Sequence, residues 1–196
     1  MIVVYILLIA GAYALGMLPS AHYVAGRKGL DPTREGSGNP GATNVFRVAG
    51  RRAGMTVFVA DLGKGAVATA AGLAVAGRPL ATACWVAAVL GHVLPATRRL
   101  RGGKGVATAG GGACVLFGFF TIVGMLIFFV VAGLTRKVSV ASMVMAVSMA
   151  TMIIFSGVPL GEALVVVGLT ALVIVRHQSN IRRLLAGGER SWKSGS

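Results

Sequence analysis

A glycine-rich segment near residue 40 carries the side chains of this sequence that are best suited to binding an anion. Residues 36–44 read Gly-Ser-Gly-Asn-Pro-Gly-Ala-Thr-Asn, and an arginine follows at position 47. Glycines let a backbone approach a ligand closely, successive N–H groups form anion-binding concavities, and arginine can hold phosphate through two parallel hydrogen bonds. The alternative is a turn-rich loop that only re-enters a bilayer. The predicted phosphate-binding residues are Ser37, Gly38, Asn39, Thr43, Asn44 and Arg47.

A second glycine-rich segment lies at 101–105 and precedes an apolar stretch. A glycine-rich loop followed by a lysine and a helix N-terminus is an arrangement that binds phosphate. It is not a nucleotide-binding P-loop, which needs Gly at position 98 and Ser or Thr at position 105, where this chain has Arg98 and Gly105. The predicted residues of this second phosphate site are Gly102, Gly103, Lys104 and Gly105.

Three further polar residues stand within or at the end of apolar runs. Asp61 and Lys64 are three residues apart, and His92 ends a later run. Charged groups inside a membrane usually pair and face the protein interior, and an i,i+3 spacing places two side chains on one helix face. We predict an ion pair between Asp61 and Lys64, with a direct role in substrate binding as the alternative. For His92, a hydrogen-bonded strut is favoured over a catalyst.

The last polar segment combines a histidine and an asparagine with several arginines. Residues 176–183 read Arg-His-Gln-Ser-Asn-Ile-Arg-Arg, and Glu189 follows. In a helix, His177 and Asn180 share one face. A basic helix that lies on a lipid surface is the alternative interpretation, but that role requires neither the histidine nor the asparagine.

The composition indicates a membrane protein. Of the 196 residues, 56% are hydrophobic and 12% are charged, whereas a soluble domain has about 25% charged residues. Lipid cannot satisfy backbone N–H and C=O groups, and the apolar runs are continuous and longer than barrel strands of about 9–11 residues. We predict an all-α, polytopic membrane helix bundle that forms one domain over residues 1–196.

Basic residues predict the orientation of the helices, because Lys and Arg collect on cytoplasmic loops. The first span, residues 2–25, has basic residues after it and none before it, which places the N-terminus outside. The segment 106–134 is long enough to divide near residue 113. About seven membrane helices then place every basic residue except Lys64 and Arg78 on the cytoplasmic side. The other predicted spans are 54–77, 80–97, 138–156 and 160–175. The predicted cytoplasmic segments are 28–52, 97–104, 135–137 and 176–196.

Residue types and spacing exclude several classes of protein. The net charge of +14 is attributed to cytoplasmic loops rather than nucleic acid, because no DNA- or RNA-binding motif is found. The cysteines and histidines are too scattered for a metal site. Acyltransferases with Asp five residues after His are excluded, because those positions hold Arg27, Thr97 and Arg182. A metal-dependent CDP-alcohol phosphotransferase would need more aspartates than Asp31 and Asp61. A small transporter of anions or phosphate esters remains the alternative to an enzyme.

Taken in order, these motifs closely resemble those of the bacterial acyl-phosphate:glycerol-3-phosphate acyltransferases. Residues 36–44 and the R-H-x-x-N-I-x-R-L pattern near the C-terminus are specific to that family, whereas the glycine and lysine segments are weaker signals singly. Gln178 is a departure, because Arg is common there in the family. The matching segments cover nearly the whole chain and are GSGNPGATNVFR (36–47), DLGKG (61–65), GHVLP (91–95), GGKGVAT (102–108), the serines of SVAS (139–142) and RHQSNIRRLLAGGE (176–189).

The resemblance implies an enzyme of phospholipid biosynthesis. It would move a fatty acyl group from acyl phosphate to the 1-hydroxyl of glycerol 3-phosphate, giving lysophosphatidic acid and inorganic phosphate, with no cofactor and no direct use of CoA or acyl carrier protein. It would lie among the lipids of the bacterial cytoplasmic membrane, with its active site on the cytoplasmic side. The catalytic residues would be His177 and Asn180, and Ser142 would join the substrate-binding set. The supporting residues would be Asp61, Lys64, His92, Arg176 and Glu189.

Overall fold

The computed structural model describes residues 1–191, and every regular element in that part of the chain is helical. Lys193 and Ser194, which belong to the predicted cytoplasmic tail, lie outside the described residues. The predicted all-α fold is therefore confirmed. The helices are α1 (Ile2–Met17), α2 (Ser20–Gly26), α3 (Ala42–Ala49), α4 (Arg51–Val93), α5 (Val106–Leu116), α6 (Gly118–Thr135), α7 (Val138–Phe155), α8 (Leu160–Arg176) and α9 (Gln178–Leu185), with a turn of 3-10 helix at Ala96–Arg98.

Several of these helices are suited to a membrane. α8 and α9 have the length and hydropathy of a span when taken together, but they bend by 53° at their junction, and α5 is a shorter apolar helix. The exact number of crossings and the side of the N-terminus stay predictions. The stretches that are long and apolar enough to cross a bilayer alone are Ile2–Gly26, Arg51–Arg98, Gly118–Thr135 and Val138–Phe155.

The chain divides into two compact units, Met1–Leu116 and Phe117–Ser196. The first holds α1 to α5, and the second holds α6 to α9. Phe117 separates α5 from α6 because its backbone, with φ −138° and ψ 44°, is not helical. The predicted division of the segment 106–134 is therefore present, although it falls after residue 116 rather than near 113. The single domain predicted for residues 1–196 stays a prediction.

Pro19 divides the first predicted span into α1 and α2. The residue before a proline is pushed away from the helical region, and Leu18 accordingly has φ −54° and ψ 125°. The carbonyl oxygen of Leu18 leaves the helical ladder and accepts a 2.6 Å hydrogen bond from Lys64 Nζ. The break in the first span therefore supplies a ligand for a buried charge.

α4 consists of two helices joined by a break at Ala76 and Gly77, next to residues 78–79, which separate the predicted spans 54–77 and 80–97. Gly77 has φ 70°, a left-handed conformation that glycine adopts readily and other residues rarely do. The two halves pack against each other, since a Cβ on Gly72 would lie 2.7 Å from the carbonyl oxygen of Leu80. The helices predicted at 54–77 and 80–97 are therefore present as the two halves of α4, whereas their separate crossing of a membrane stays a prediction.

Small residues bring α1, α4 and α5 into close contact in the first unit. A Cβ on Gly91 would lie 2.1 Å from the carbonyl oxygen of Tyr13, and one on Gly65 would lie 1.9 Å from that of Thr108. Close approach through small residues is the usual way in which membrane helices pack. The C-terminal half of α4 is thereby held against α1, and the N-terminal half against α5.

In the second unit, α7 contacts both α6 and α8. Gly124 of α6 lies against the side chain of Met149 of α7. Away from that contact, α6 exposes Phe119, Ile122 and Leu126 at helical spacing. This apolar stripe is suited to contact with lipid, because the backbone groups of a helix are already hydrogen-bonded within it and need no partner from the lipid.

Candidate functional site

The first glycine-rich loop leads into α3, a helix that the sequence analysis did not predict. Val45 and Ala49 are buried on one face of α3, in a cluster with α2 and the start of α4. Thr43 and Arg47 are four residues apart and therefore neighbours on the helix surface. Thr43 is exposed and Arg47 is half-buried. The apolar face of α3 thus positions two of the predicted phosphate-binding residues side by side.

Asn44 organises the loop from behind. Its side chain is 2% exposed, and its Oδ1 accepts a 2.7 Å hydrogen bond from the backbone N–H of Ser37. Its Nδ2 donates to the carbonyl oxygens of Pro32 and Glu35, at 2.9 and 3.0 Å. A Cβ on Gly36 would lie 2.4 Å from Asn44 Oδ1, so the loop requires glycine there. The structure therefore places Asn44, which we predicted to bind phosphate, as a residue that holds the loop backbone.

The backbone at the start of α3 is suited to an anion. Gly41 precedes the helix in an extended conformation and has no side chain that could cap the first turn. Uncapped N–H groups at a helix N-terminus, together with the helix dipole, attract negative charge. The side-chain nitrogen of Asn39 lies close to Gly41, within 2.7 Å of the position that a Cβ would take. This arrangement can hold a phosphate group, which is the chemistry predicted for the segment.

The second glycine-rich loop lies against the end of α4. The backbone N–H of Gly103 donates to the carbonyl oxygen of His92 at 3.2 Å. The N–H of Gly102 donates to that of Val93, also at 3.2 Å. Lys104 follows, half-buried, just before α5 begins. A lysine at the N-terminus of a helix forms a positively charged site for an anion.

Asp61 and Lys64 form the predicted ion pair. Their side chains are 2% and 5% exposed, and Lys64 Nζ lies 2.7 Å from Asp61 Oδ1. The Ser20 hydroxyl also donates to Asp61 Oδ1. Lys64 Nζ donates further to Ser20 Oγ at 3.0 Å and to the Leu18 carbonyl oxygen at 2.6 Å. An ammonium group has three N–H donors, and this cluster accepts all of them, so the ion pair is structural and the alternative of direct substrate binding by Lys64 is not supported.

His92 lies between that ion pair and the second loop. Its side chain is buried, and its Nδ1 lies 3.6 Å from Asp61 Oδ1. At the opposite edge of the ring, a Cβ on Gly103 would lie 2.2 Å from Nε2. A small cavity beside the ring is also lined by Pro40 of the first loop and by Arg98. This position fits the predicted role of a strut.

In the second unit, Glu189 accepts hydrogen bonds from three side chains. Its Oε1 accepts from Ser139 at 2.6 Å and from Asn180 at 2.7 Å, and its Oε2 accepts from Arg183 Nε at 2.8 Å. Burial alone would raise the pKa of this carboxyl group, but the hydrogen bonds from Ser139, Asn180 and Arg183 and the charge of Arg183 hold the pKa below its ordinary value. Glu189 therefore stays ionised and fixes Asn180, which agrees with the supporting role predicted for it.

His177 lies at the junction of α8 and α9. Its side chain is 2% exposed, and its Nδ1 is 2.8 Å from the carbonyl oxygen of Val173. Because a carbonyl oxygen only accepts, the proton of the neutral ring is on Nδ1 and Nε2 carries the lone pair. The backbone N–H of Asn180 donates to the carbonyl oxygen of His177 at 2.8 Å. The two predicted catalytic residues are therefore held together at the start of α9.

The remaining predicted residues also have defined places in the second unit. Ser142 is buried in α7, three residues after Ser139 and therefore on the same helix face. Arg176 lies in the last turn of α8, where the helix dipole favours positive charge. Within residues 1–191, no group of three or more His, Cys, Asp or Glu side chains could hold a metal ion.

No role was predicted from the sequence for Ser20, Ser139 or Arg183, each of which completes a charged cluster. A signal for Ser20 did exist, since charges inside a membrane require polar partners and Ser20 interrupts an apolar run. However, Ser20 and Asp61 are separated by 41 residues, and Ser139 and Glu189 by 50. Contacts over such distances depend on helix packing, which a single sequence does not specify.

Known proteins with similar sequences and folds indicate the family of this chain. A family model described as glycerol-3-phosphate acyltransferase matches residues 6–187. A glycerol-3-phosphate acyltransferase of Methylococcus capsulatus is 38% identical over 188 residues, which is 93% of each chain. One of Bacillus velezensis is 41% identical over 183 residues, which is 91% of this chain and 93% of the relative.

The fold also matches two crystal structures of PlsY (YgiH), an integral membrane glycerol 3-phosphate acyltransferase. The match covers 95% of this chain and 94% of PlsY at 34% identity, with a TM-score of 0.92 for the glycerol 3-phosphate form. The TM-score for the lysophosphatidic acid form is 0.89. These matches over nearly the whole chain confirm the resemblance that the motifs indicated. This integral membrane protein belongs to the glycerol-3-phosphate acyltransferase family.

Proposed function

We propose that this protein transfers a fatty acyl group from acyl phosphate to the 1-hydroxyl of glycerol 3-phosphate. A bond forms between the hydroxyl oxygen and the acyl carbon, and the bond between the acyl carbon and the phosphate oxygen breaks. The products are lysophosphatidic acid and inorganic phosphate. The related crystal structures, described as glycerol 3-phosphate and lysophosphatidic acid forms, support the acceptor and the product.

The observation that carries this proposal is the presence of two glycine-rich loops, each followed directly by a helix N-terminus. The first leads into α3, which bears Arg47, and the second carries Lys104 immediately before α5. Both proposed substrates carry a phosphate group, and both loops have the backbone and cationic groups that bind one. A donor that is itself an acyl phosphate therefore suits the pair of loops.

The proposed reaction needs no covalent intermediate, because phosphate is already a good leaving group. Cys84 is buried in α4, where apolar surroundings disfavour a thiolate. Cys114 is exposed on the apolar helix α5. The glycerol hydroxyl would therefore attack the acyl carbon directly. His177 and Asn180 would hold the glycerol hydroxyls, and the proton would pass to Nε2 of His177 or to a phosphate oxygen of a substrate.

The proposed location is the cytoplasmic membrane of a bacterium, with the reaction on the cytoplasmic side. The curated relatives come from bacteria, and the basic residues of the loops favour the cytoplasmic face. The acyl phosphate and the product both carry an acyl chain. A site at the edge of a helix bundle would therefore receive the acyl phosphate from the surrounding lipid and release the product into it.

The experiment is a donor comparison with purified protein in defined vesicles. Glycerol 3-phosphate is supplied with acyl phosphate, acyl-CoA or acyl carrier protein thioester, and lysophosphatidic acid is measured by mass spectrometry. We expect product only with acyl phosphate, together with an equal amount of inorganic phosphate. Product from a thioester but not from acyl phosphate would overturn the proposed donor. Vesicle uptake of glycerol 3-phosphate without product would instead favour the transporter.

A further inference from the structure

A buried network of polar side chains lies behind the second glycine-rich loop of the first unit. It consists of Ser20, Asp61, Lys64 and His92. The Ser20 hydroxyl and Lys64 Nζ donate hydrogen bonds to Oδ1 of Asp61, and Nδ1 of His92 lies 3.6 Å from the same oxygen. Asp61 and Lys64 are almost completely buried. A hydrophobic cluster of similar volume would often hold helices together as well as a buried ion pair does, so the network calls for a role beyond packing.

The network touches the second loop through His92. The carbonyl oxygen of His92 accepts the N–H of Gly103 at 3.2 Å, and a Cβ on Gly102 would lie 2.0 Å from that same oxygen. A Cβ on Gly103 would meet three atoms of the His92 ring, the nearest being Nε2 at 2.2 Å. Glycines at 102 and 103 are therefore required by contact with His92, and the loop follows the surface of that residue.

Asp61 fixes the His92 ring from its other edge. Oδ1 of Asp61 lies 3.6 Å from Nδ1 at one edge of the ring, and the Nε2 edge lies against Gly103. Asp61 is itself held by the Ser20 hydroxyl and the Lys64 ammonium. The His92 ring is thus held between the Ser20–Asp61–Lys64 cluster on one side and Gly103 on the other.

We propose that His92 is a positioning residue that holds residues 102–105, and with them Lys104, in the geometry that binds a substrate phosphate. The chain of contacts runs from the Ser20–Asp61–Lys64 cluster through the His92 ring to Gly103, the neighbour of Lys104. This inference rests on the proposed function, since it assigns Lys104 to phosphate binding. A displacement of about 1 Å at such a site can cost up to about a hundredfold in efficiency.

The first test compares His92→Phe and Asp61→Asn with the unaltered protein. Phe keeps most of the ring volume but loses both nitrogens, and Asn keeps the shape of Asp61 but loses its charge. We expect each variant to raise KM for at least one phosphate-bearing substrate about tenfold or more. The matched control is Thr69→Val, because Thr69 is fully buried in α4 and its hydroxyl donates to the carbonyl oxygen of Gly65 in the same helix at 2.7 Å. It should lose stability without a change in KM.

The second test uses the contact between His92 and Gly103. Gly103→Ala places a methyl group where the ring lies, so it should raise KM by displacing the loop. His92→Ala removes the ring that this methyl group would meet. The increase in KM in the double variant Gly103→Ala/His92→Ala should therefore be smaller than the product of the increases in the two single variants. This readout survives even if His92→Phe fails to fold.

Two results would overturn the inference: unchanged KM values in folded His92→Phe and Asp61→Asn, or single effects that simply multiply in the double variant. Calorimetric binding of glycerol 3-phosphate is measured in parallel and needs no acyl donor. If the unaltered protein binds glycerol 3-phosphate but makes no product from acyl phosphate, the proposed donor fails while the positioning role is still tested by binding.

Discussion

The carboxylate of Glu189 accepts a 2.6 Å hydrogen bond from the hydroxyl of Ser139, which lies 50 residues earlier in the chain. The contact joins the segment after α9 to the start of α7. Because the same oxygen also accepts from Asn180, the side chain of Asn180 is fixed by a residue that lies outside its helix. The geometry of one predicted catalytic residue therefore depends on a buried charge nearby.

Replacing that charge should destabilise the second unit. In Glu189→Gln, the new side-chain nitrogen would face either Arg183 Nε or the two donors on Oε1, so at least one hydrogen bond is lost and two donor groups face each other. We expect a loss of about 2 kcal/mol, seen as a lower Tm in detergent. The control, Glu162→Gln, changes a residue in the first turn of α8 and should cost about 1 kcal/mol or less. Equal Tm values for the two variants would contradict the assignment.

The same carboxyl group predicts a dependence of stability on pH. Hydrogen bonds hold the pKa of Glu189 below its ordinary value in the folded protein, against the opposing effect of burial. The ionised Glu189 therefore contributes fully to the free energy of unfolding above the ordinary pKa of a glutamate. This contribution is lost as the pH falls through the lower pKa of the folded protein. Between about pH 6 and about pH 3, which spans the ordinary range of a glutamate pKa, Tm should fall less in Glu189→Gln than in the unaltered protein. Parallel curves would exclude Glu189 as the titrating group.

The ion pair in the first unit predicts a second stability effect. Lys64→Met leaves Asp61 as a buried charge with one fewer partner, and such a loss costs about 3–5 kcal/mol. Asp61→Asn likewise leaves the buried ammonium unbalanced. The double variant Asp61→Asn/Lys64→Met removes both charges, so we expect its Tm to exceed that of either single variant. Thermal unfolding of all three in detergent checks this, and additive losses would show that the two groups are not coupled.

Sequence alone predicted the features that depend on composition and local spacing. Continuous apolar runs predicted the all-α fold and its apolar helices, and the i,i+3 spacing of Asp61 and Lys64 predicted their ion pair. The length of the segment 106–134 predicted its division, although near residue 113 rather than at Phe117. These predictions succeeded because each rests on the solvent or on the geometry of one helix.

Features that depend on contacts between helices were not predicted. α3 was assigned to a loop, because its glycines and polar residues concealed an apolar face that α2 and α4 complete. Asn44 was predicted to bind phosphate. In the structure its side chain donates hydrogen bonds to the carbonyl oxygens of Pro32 and Glu35, which requires the loop to fold back over it. The partners of Lys64 come from a helix break 46 residues away.

The proposed orientation can be tested at both ends of the chain. Arg34 has an exposed side chain and lies in a predicted cytoplasmic loop, and Ser194 belongs to the predicted cytoplasmic tail outside the described residues. In a protein with Cys84→Ser and Cys114→Ser, we expect Arg34→Cys and Ser194→Cys to be protected from an impermeant thiol reagent in intact cells. Both should react after the cells are opened. Labelling of Ser194→Cys from outside would contradict the predicted number of crossings.

Arg47 and Lys104 should each be needed for phosphate binding. A hydrogen bond to a charged group contributes about 1.5–3 kcal/mol, so Arg47→Ala or Lys104→Ala should lower kcat/KM about tenfold or more. Arg47→Lys should restore only part of this loss, because lysine lacks the planar fork of arginine. Arg52→Ala is the control, since Arg52 is exposed at the start of α4. Unchanged kinetics in folded Arg47→Ala would remove Arg47 from the proposed site.

His177 provides the sharpest test of the chemical step. Its Nδ1 is occupied by the carbonyl oxygen of Val173, so Nε2 is the ring atom with a lone pair able to accept a proton from the glycerol hydroxyl. If it does so, His177→Ala should lower kcat by about 10²–10⁴. If His177 only holds the substrate, the loss should appear mainly as a higher KM for glycerol 3-phosphate, as we expect for Asn180→Ala.

We expect the loss in kcat, because the bond from Nδ1 to a backbone carbonyl keeps Nε2 unprotonated in the neutral ring. A rise in KM alone would assign the proton to a phosphate oxygen of a substrate and leave direct attack intact. A labelled acyl group trapped covalently on the protein would overturn direct attack itself. A dead but folded Cys84→Ser/Cys114→Ser variant would do the same, because a reaction without an enzyme nucleophile has no use for either thiol.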